Sequence, residues 1–145
     1  MSLAISTKLP QDLFKKYIQE ISNPVVLVFT AGKGLEVNFF DQLLKLTGLN
    51  KKQLAAIIDT TPKTIDNRRL NRRPLGRIES EQLLQILALY KKGKEIFGTP
   101  NSFIGWLNVP AIGLGERTPF DLMHTPGGIN LIMEELIRIE FGALA

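Results

Sequence analysis

The sequence predicts an all-α protein, and three observations predict it. Four of the eight prolines follow a threonine, at Thr61-Pro62, Thr99-Pro100, Thr118-Pro119 and Thr125-Pro126. A threonine hydroxyl accepts from a free amide of the first helical turn, and proline fits the first helical position, where its missing N–H costs nothing. Glycines stand where such helices would stop, at Gly48 and Gly98, and glycine accepts the left-handed conformation that closes a helix. Between Arg77 and Phe97 the apolar residues Ile78, Leu83, Leu84, Ile86, Leu87, Tyr90 and Phe97 recur mostly at spacings of three and four, the period of an amphipathic helix.

Taken in order, Phe14, Tyr17, Ile18 and Ile21 predict a short amphipathic helix near the N-terminus. Val25 to Phe29 is rich in β-branched and aromatic residues and reads as a strand, but a lone strand in a helical chain lacks a pairing partner. A buried helix is the preferred reading there. Phe39 to Leu46 forms a helix stopped at Gly48. Asn50 then caps a helix from Lys51 to Ile58, with Gln53 placed to complete a capping box and Leu54, Ala55, Ile57 and Ile58 as its buried stripe. Asp59-Thr60-Thr61 is a turn, and Pro62 to Leu70 a second helix with Ile65 and Leu70 facing the first. Asp121, three residues after Thr118, is a weaker relative of the capping box. The last helix carries Ile129, Ile132, Met133, Leu136 and then Ile137 or Ile139 on one stripe.

Charge divides the chain. Residues 51–98 carry a net charge of +6, residues 99–145 of −3 and residues 1–50 of +1, within a total of +4. A basic middle and an acidic end point to two surfaces for two kinds of partner. The absence of cysteine excludes disulfides and thiolate metal sites. With neither a signal-peptide pattern nor a run of apolar residues about 18 long, the expectation is a cytoplasmic protein with no membrane partner.

The basic middle coincides with the helix–turn–helix pattern of residues 35–98. In such a unit the start of the second helix reaches base edges and its flanks touch phosphates. The candidates for DNA contact are Lys63, Thr64, Asp66, Asn67, Arg68, Arg69, Arg72 and Arg73, with Arg77 beyond them. Five arginines among residues 68–77 suit a polyanion, because the guanidinium fork matches phosphate oxygens.

The C-terminal third shows no catalytic constellation. Its single histidine, His124, has no metal-ligand or nucleophile spacing around it and reads as a surface residue. Glu134, Glu135 and Glu140 read as the solvated face of a helix, and the glycine pairs at 113–115 and 127–128 lack the frame of a phosphate loop. No enzymatic activity and no cofactor is expected. The chain ends on Phe141, Leu144 and alanines, an apolar terminus that packs on its own fold or inserts into a partner.

An ordered set of residues in this third carries a resemblance: Ile96-Phe97-Gly98, Trp106-Leu107, Leu114-Gly115, Thr118-Pro119-Phe120-Asp121-Leu122, Thr125, Gly128 and Leu136-Ile137-Arg138-Ile139-Glu140-Phe141-Gly142. With Leu54-Ala55, Thr64-Ile65 and the following arginines, it covers roughly residues 25–145 and resembles the Xre/MbcA/ParS family of antitoxins, whose usual partner is a RES-domain toxin. Three positions depart from the family pattern. Glu116 stands where a second glycine is usual, Asn108-Val109-Pro110 where Asn-Pro is usual, and Gly76 where a serine cap is usual.

The resemblance implies a helical fold throughout, in three parts: an N-terminal segment (1–34), an Xre-like helix-turn-helix domain (35–98) and a small helical toxin-binding domain (99–145). It also implies an antitoxin that covers the active site of an NAD-consuming toxin with its last helix and tail, here Arg138, Glu140, Phe141, Gly142, Leu144 and Ala145. NAD would belong to the toxin. The helix-turn-helix would bind promoter DNA and repress transcription, as a homodimer or within a larger toxin–antitoxin hetero-oligomer. The alternative is a stand-alone transcriptional repressor with a C-terminal dimerisation domain, which explains the basic middle but not the C-terminal residue series.

Overall fold

The computed structural model describes residues 10–144, with side-chain environments for residues 13–142. Within them the chain forms nine α-helices: α1 (Pro10–Lys16), α2 (Ile18–Ser22), α3 (Pro24–Lys33), α4 (Val37–Thr47), α5 (Lys51–Ile57), α6 (Pro62–Leu70), α7 (Arg77–Phe97), α8 (Pro100–Leu107) and α9 (Pro126–Leu144). Two short 3₁₀ turns, Ile112–Leu114 and Pro119–Leu122, fill the stretch between α8 and α9. A single bridge between Ala111 and Arg117 is the one β-type pairing among the described residues. No helix among them is long and apolar enough to cross a membrane.

Helix starts follow the expected chemistry at three of the four Thr-Pro pairs. Thr61 accepts from the Thr64 amide, Thr99 from the Ser102 amide and Thr125 from the Gly128 amide, at 3.2, 3.1 and 3.0 Å. Thr118 differs: it makes no side-chain cap, and Asp121 bonds through its backbone N–H to the Thr118 carbonyl, so Pro119 opens a 3₁₀ turn and not a capping box. Asn50 and Gln53 close a full capping box at the start of α5, with bonds of 3.0 and 2.8 Å. At α7, Gly76 contributes no side chain, and the Glu79 carboxylate alone accepts the Gly76 N–H at 2.9 Å.

Helix α7 is the axis of the molecule. It packs on α2, α3, α4, α8 and α9, and Leu83, Leu84, Ile86, Leu87, Leu89 and Tyr90 on it are buried. Each such side chain contributes about 1.5–3 kcal/mol on leaving water. The N-terminal helices, the helix-turn-helix and the C-terminal helices therefore share one core, which runs from Leu13 to Leu136. Buried Gln82 adds a polar tie. Its side-chain amide donates to the Ile57 carbonyl at the end of α5 and to the Met123 carbonyl before α9, at 2.8 and 3.1 Å.

Several expectations change. Residues 24–33 are helical, which excludes the strand, but α3 is not buried: Leu27 and Ala31 face the core while Val25, Val28 and Phe29 face solvent. The N-terminal helix breaks at Tyr17 into α1 and α2, because the Tyr17 backbone leaves the helical region, and Ile18 is exposed. Leu70 is 80% exposed and does not face α5. It stands five residues after buried Ile65, which on a helix of about 100° per residue turns it well over a third of a circle away. Ile78 is exposed because it lies in the first turn of α7, ahead of the helices that cover Leu83 onwards. On α9 the buried stripe is Ile129, Ile132 and Leu136, and Ile139 continues it half-buried while Ile137 faces out.

Candidate functional site

Helices α5 and α6 are joined by a tight turn with two backbone bonds, Asp59 N–H to the Ala56 carbonyl and Thr60 N–H to the Ala55 carbonyl, at 3.1 and 2.8 Å. This is a Schellman closure, and Asp59 occupies its left-handed position at φ 58°. Buried Ala55 and Ile65 let the two helices approach. Opposite Ile65, the outward ridge of α6 carries Lys63, Asn67 and Leu70, all exposed, with Thr64 and Asp66 half-buried on its flanks.

Helix α6 closes the same way. The Arg73 N–H reaches the Arg68 carbonyl at 2.9 Å and the Arg72 N–H the Arg69 carbonyl at 3.3 Å. The left-handed position, usually glycine, is Arg72 at φ 52°. A residue with a Cβ pays about 1 kcal/mol or more for that conformation. The basic loop that follows is anchored, with Leu75 buried and its N–H donating to the Leu35 carbonyl at 2.8 Å. The Leu35 N–H in turn donates to buried Ser80 Oγ at 2.9 Å.

The arginines divide into two sets. Arg69 donates through both terminal nitrogens to Asp41 on α4, at 2.5 and 2.9 Å. Those bonds raise its already high pKa. Asp66 lies between Arg69 and Lys51, 3.8 Å from one and 3.0 Å from the other. Arg68 donates to the Pro74 carbonyl at 2.7 Å and lies 3.9 Å from Glu79. Arg68, Arg69 and Asp66 are thus held by the chain's own groups and fix α6 against α4, α5 and the loop. Lys63, Arg72, Arg73 and Arg77 are exposed and form no ion pair among the described residues. An open depression of about 580 Å³ lies between the start of α4 and the loop, lined by Asn38, Asp41, Arg69, Arg72 and Arg73 among others. A second, of about 430 Å³, lies on the other side of Arg73, against Thr64, Asn67 and Asn71. Free cations on a preorganised edge, beside a ridge of neutral and basic side chains, suit a phosphate backbone flanking a groove.

The free cations give a prediction at Arg72. Arg72→Gly should raise the thermal stability by about 1 kcal/mol, because the left-handed strain is relieved. It should also weaken DNA binding and lower the log–log salt slope by about 0.9, the loss of one phosphate contact. Calorimetry and binding titrations at several salt concentrations check both. A destabilised variant with an unaltered slope would exclude this role for Arg72.

The second group of expected site residues lies on α9. Arg138 is exposed and donates to Glu135 one turn back, at 2.8 Å. Glu140 is held by Lys92 on α7 at 2.7 Å. Phe141 is 65% exposed, and Gly142 is exposed. Leu144 ends the helix, but its side chain and all of Ala145 lie outside the described residues. His124 is exposed, edge-on to Phe120. The departure at Glu116 has a physical content: its φ of 61°, directly after Gly115 at 69°, is the conformation that favours glycine.

Fold and surface together define a helix-turn-helix protein with a second helical module packed on the shared helix α7. Residues 27–88 match the antitoxin Xre-like helix-turn-helix domain, and residues 92–142 match the antitoxin Xre/MbcA/ParS C-terminal toxin-binding domain. A curated relative named Antitoxin Xre, from Yersinia enterocolitica serotype O:8 / biotype 1B, is 23% identical over 125 residues, which cover 86% of this chain and 84% of that one. The chain belongs to the Xre/MbcA/ParS antitoxin family.

Proposed function

We propose that this chain is the antitoxin of a type II toxin–antitoxin pair. It neutralises a RES-domain, NAD-consuming toxin by covering the toxin's active site, represses its own promoter through α5 and α6, and catalyses nothing itself. The division of labour follows three segments, 1–34, 35–98 and 99–145, and the working form is a cytoplasmic homodimer or a larger hetero-oligomer with the toxin. One observation carries the reading. The same chain presents free cations on a helix-turn-helix and, on a helix within its toxin-binding domain, a large apolar side chain with no home of its own, Phe141. Glu140 supports this by its pairing with Lys92, which holds the end of α9 against α7 and so presents Phe141 outward on a stiff helix.

Phe141→Ala tests the toxin-facing half. An exposed phenylalanine contributes little to its own fold, so the melting temperature and DNA affinity should stay as they are. Burial of a phenylalanine in a partner's pocket is worth about 1.5–3 kcal/mol, so affinity for the toxin should fall about ten- to a hundredfold. NAD consumption by the proposed RES-domain partner, titrated with each antitoxin, is the readout. Full inhibition by the variant at a one-to-one ratio would exclude Phe141 as an anchor, and lowered thermal stability would assign it to this chain's own packing.

A further inference from the structure

We propose that Asn67 and Leu70 read adjacent A·T base pairs, Asn67 through the adenine edge and Leu70 through the thymine methyl group. The inference rests on the DNA-binding reading above and adds to it the identity of the bases. Leu70 is 80% exposed at the end of a helix whose inner side is filled by Ile65. It belongs to the ridge of Lys63 and Asn67 opposite Ile65, so the base-reading ridge proposed here extends beyond the helix start to the last residue of α6. A leucine there does nothing for the fold. In the major groove its natural counterpart is the C5 methyl of thymine, the one apolar group that a base pair displays there.

Asn67 completes the pair. Its backbone carbonyl accepts from Asn71, but its side-chain amide makes no hydrogen bond among the described residues and is exposed. A free carboxamide offers one donor and one acceptor side by side, the pattern that matches N7 and N6 of adenine. Guanine presents two acceptors at that edge and does not match. Among the described residues no neighbouring group holds either side chain. Asp66, the nearest carboxylate on the helix, is engaged by Lys51 and Arg69, and Asn71 is turned back onto the helix. Three residues along a helix advance about 4.5 Å, a little more than the 3.4 Å between successive base pairs. With α6 laid along the groove, Asn67 and Leu70 address neighbouring steps, with Lys63 one turn earlier on the same ridge.

The test uses the full-length chain and a duplex selected by it from a random-sequence pool. Single thymines are then replaced by deoxyuridine, which removes only the methyl group, and single adenines by 7-deazaadenine, which removes only the N7 acceptor. One deoxyuridine position should weaken binding about three- to fivefold, and Leu70→Ala should be insensitive to it. One 7-deazaadenine, in the adjacent base pair, should weaken binding roughly five- to a hundredfold, and Asn67→Ala should be insensitive to it. Both residues are exposed, so unchanged thermal unfolding should verify that the variants fold. Binding that ignores the methyl groups, or Leu70→Ala and Asn67→Ala variants that keep the wild-type sensitivities, would overturn the assignment while leaving DNA binding intact. Failure to enrich any duplex would overturn the DNA-binding reading itself, and this inference with it.

Discussion

Gly128→Ala should lower the melting temperature by roughly 10 °C, corresponding to a loss of about 3 kcal/mol or more. Gly128 is buried in the first turn of α9, and a Cβ built on it overlaps the Leu122 backbone carbonyl. Backbone cannot swing aside as a long side chain can, so α9 or the 119–122 turn must move. That movement would strain the Gln82 bond to the neighbouring Met123 carbonyl, and with it the tie between the C-terminal module and α5. Gly127→Ala is the control. A Cβ there meets nothing within 4 Å, and exchange of an exposed helical glycine for alanine is worth up to about 1 kcal/mol of stability. Thermal unfolding of the two variants should therefore shift in opposite directions. Equal melting temperatures would show that α9 does not start against Leu122 in the way described.

Simultaneous replacement of Lys63, Arg72 and Arg73 by alanine should weaken DNA binding by about two powers of ten at physiological salt and reduce the log–log salt slope by about 2.7. The three cations are exposed and unpaired among the described residues, so nothing in the fold depends on their charge. The pair Arg68→Ala and Arg69→Ala should behave differently. It removes the two-nitrogen contact with Asp41 and the bond to the Pro74 carbonyl, so it should lower stability and change the slope less than the triple variant does. Titrations across salt concentrations distinguish the two sets. A larger slope change for the Arg68 and Arg69 pair would mean that the ion pairs open on DNA and that these arginines carry the phosphate contacts.

Much of this architecture was legible in the sequence, because local chemistry specifies it. The Asn50–Gln53 box, the threonine caps at 61, 99 and 125 and the stops at Gly48 and Gly98 involve residues at most four apart, and a reader of spacings finds them. The missed features are long-range or conformational. Asp41 and Arg69 are 28 positions apart, so local spacing does not reveal that part of the arginine cluster is also fastened within the fold. Gln82 occupies an ordinary polar position of an amphipathic pattern, and only the folded chain brings it to Ile57 and Met123. Hydrophobicity alone assigns Leu70 to the core, whereas the helical angle from Ile65 points it outward. The same holds for Val25, Val28 and Phe29, since apolar character alone does not say which side of α3 is covered.

The division of the chain into a DNA-binding face and a toxin-binding face is tested most directly in cells that express the proposed RES-domain partner and carry a reporter driven by the native promoter. The variant with alanine at Lys63, Arg72 and Arg73 should leave the reporter fully active, because the phosphate contacts are gone, while the cells keep growing, because α9 is untouched. Growth arrest in cells that hold the folded variant at wild-type levels would contradict the account, since neutralisation would then depend on the surface assigned to DNA.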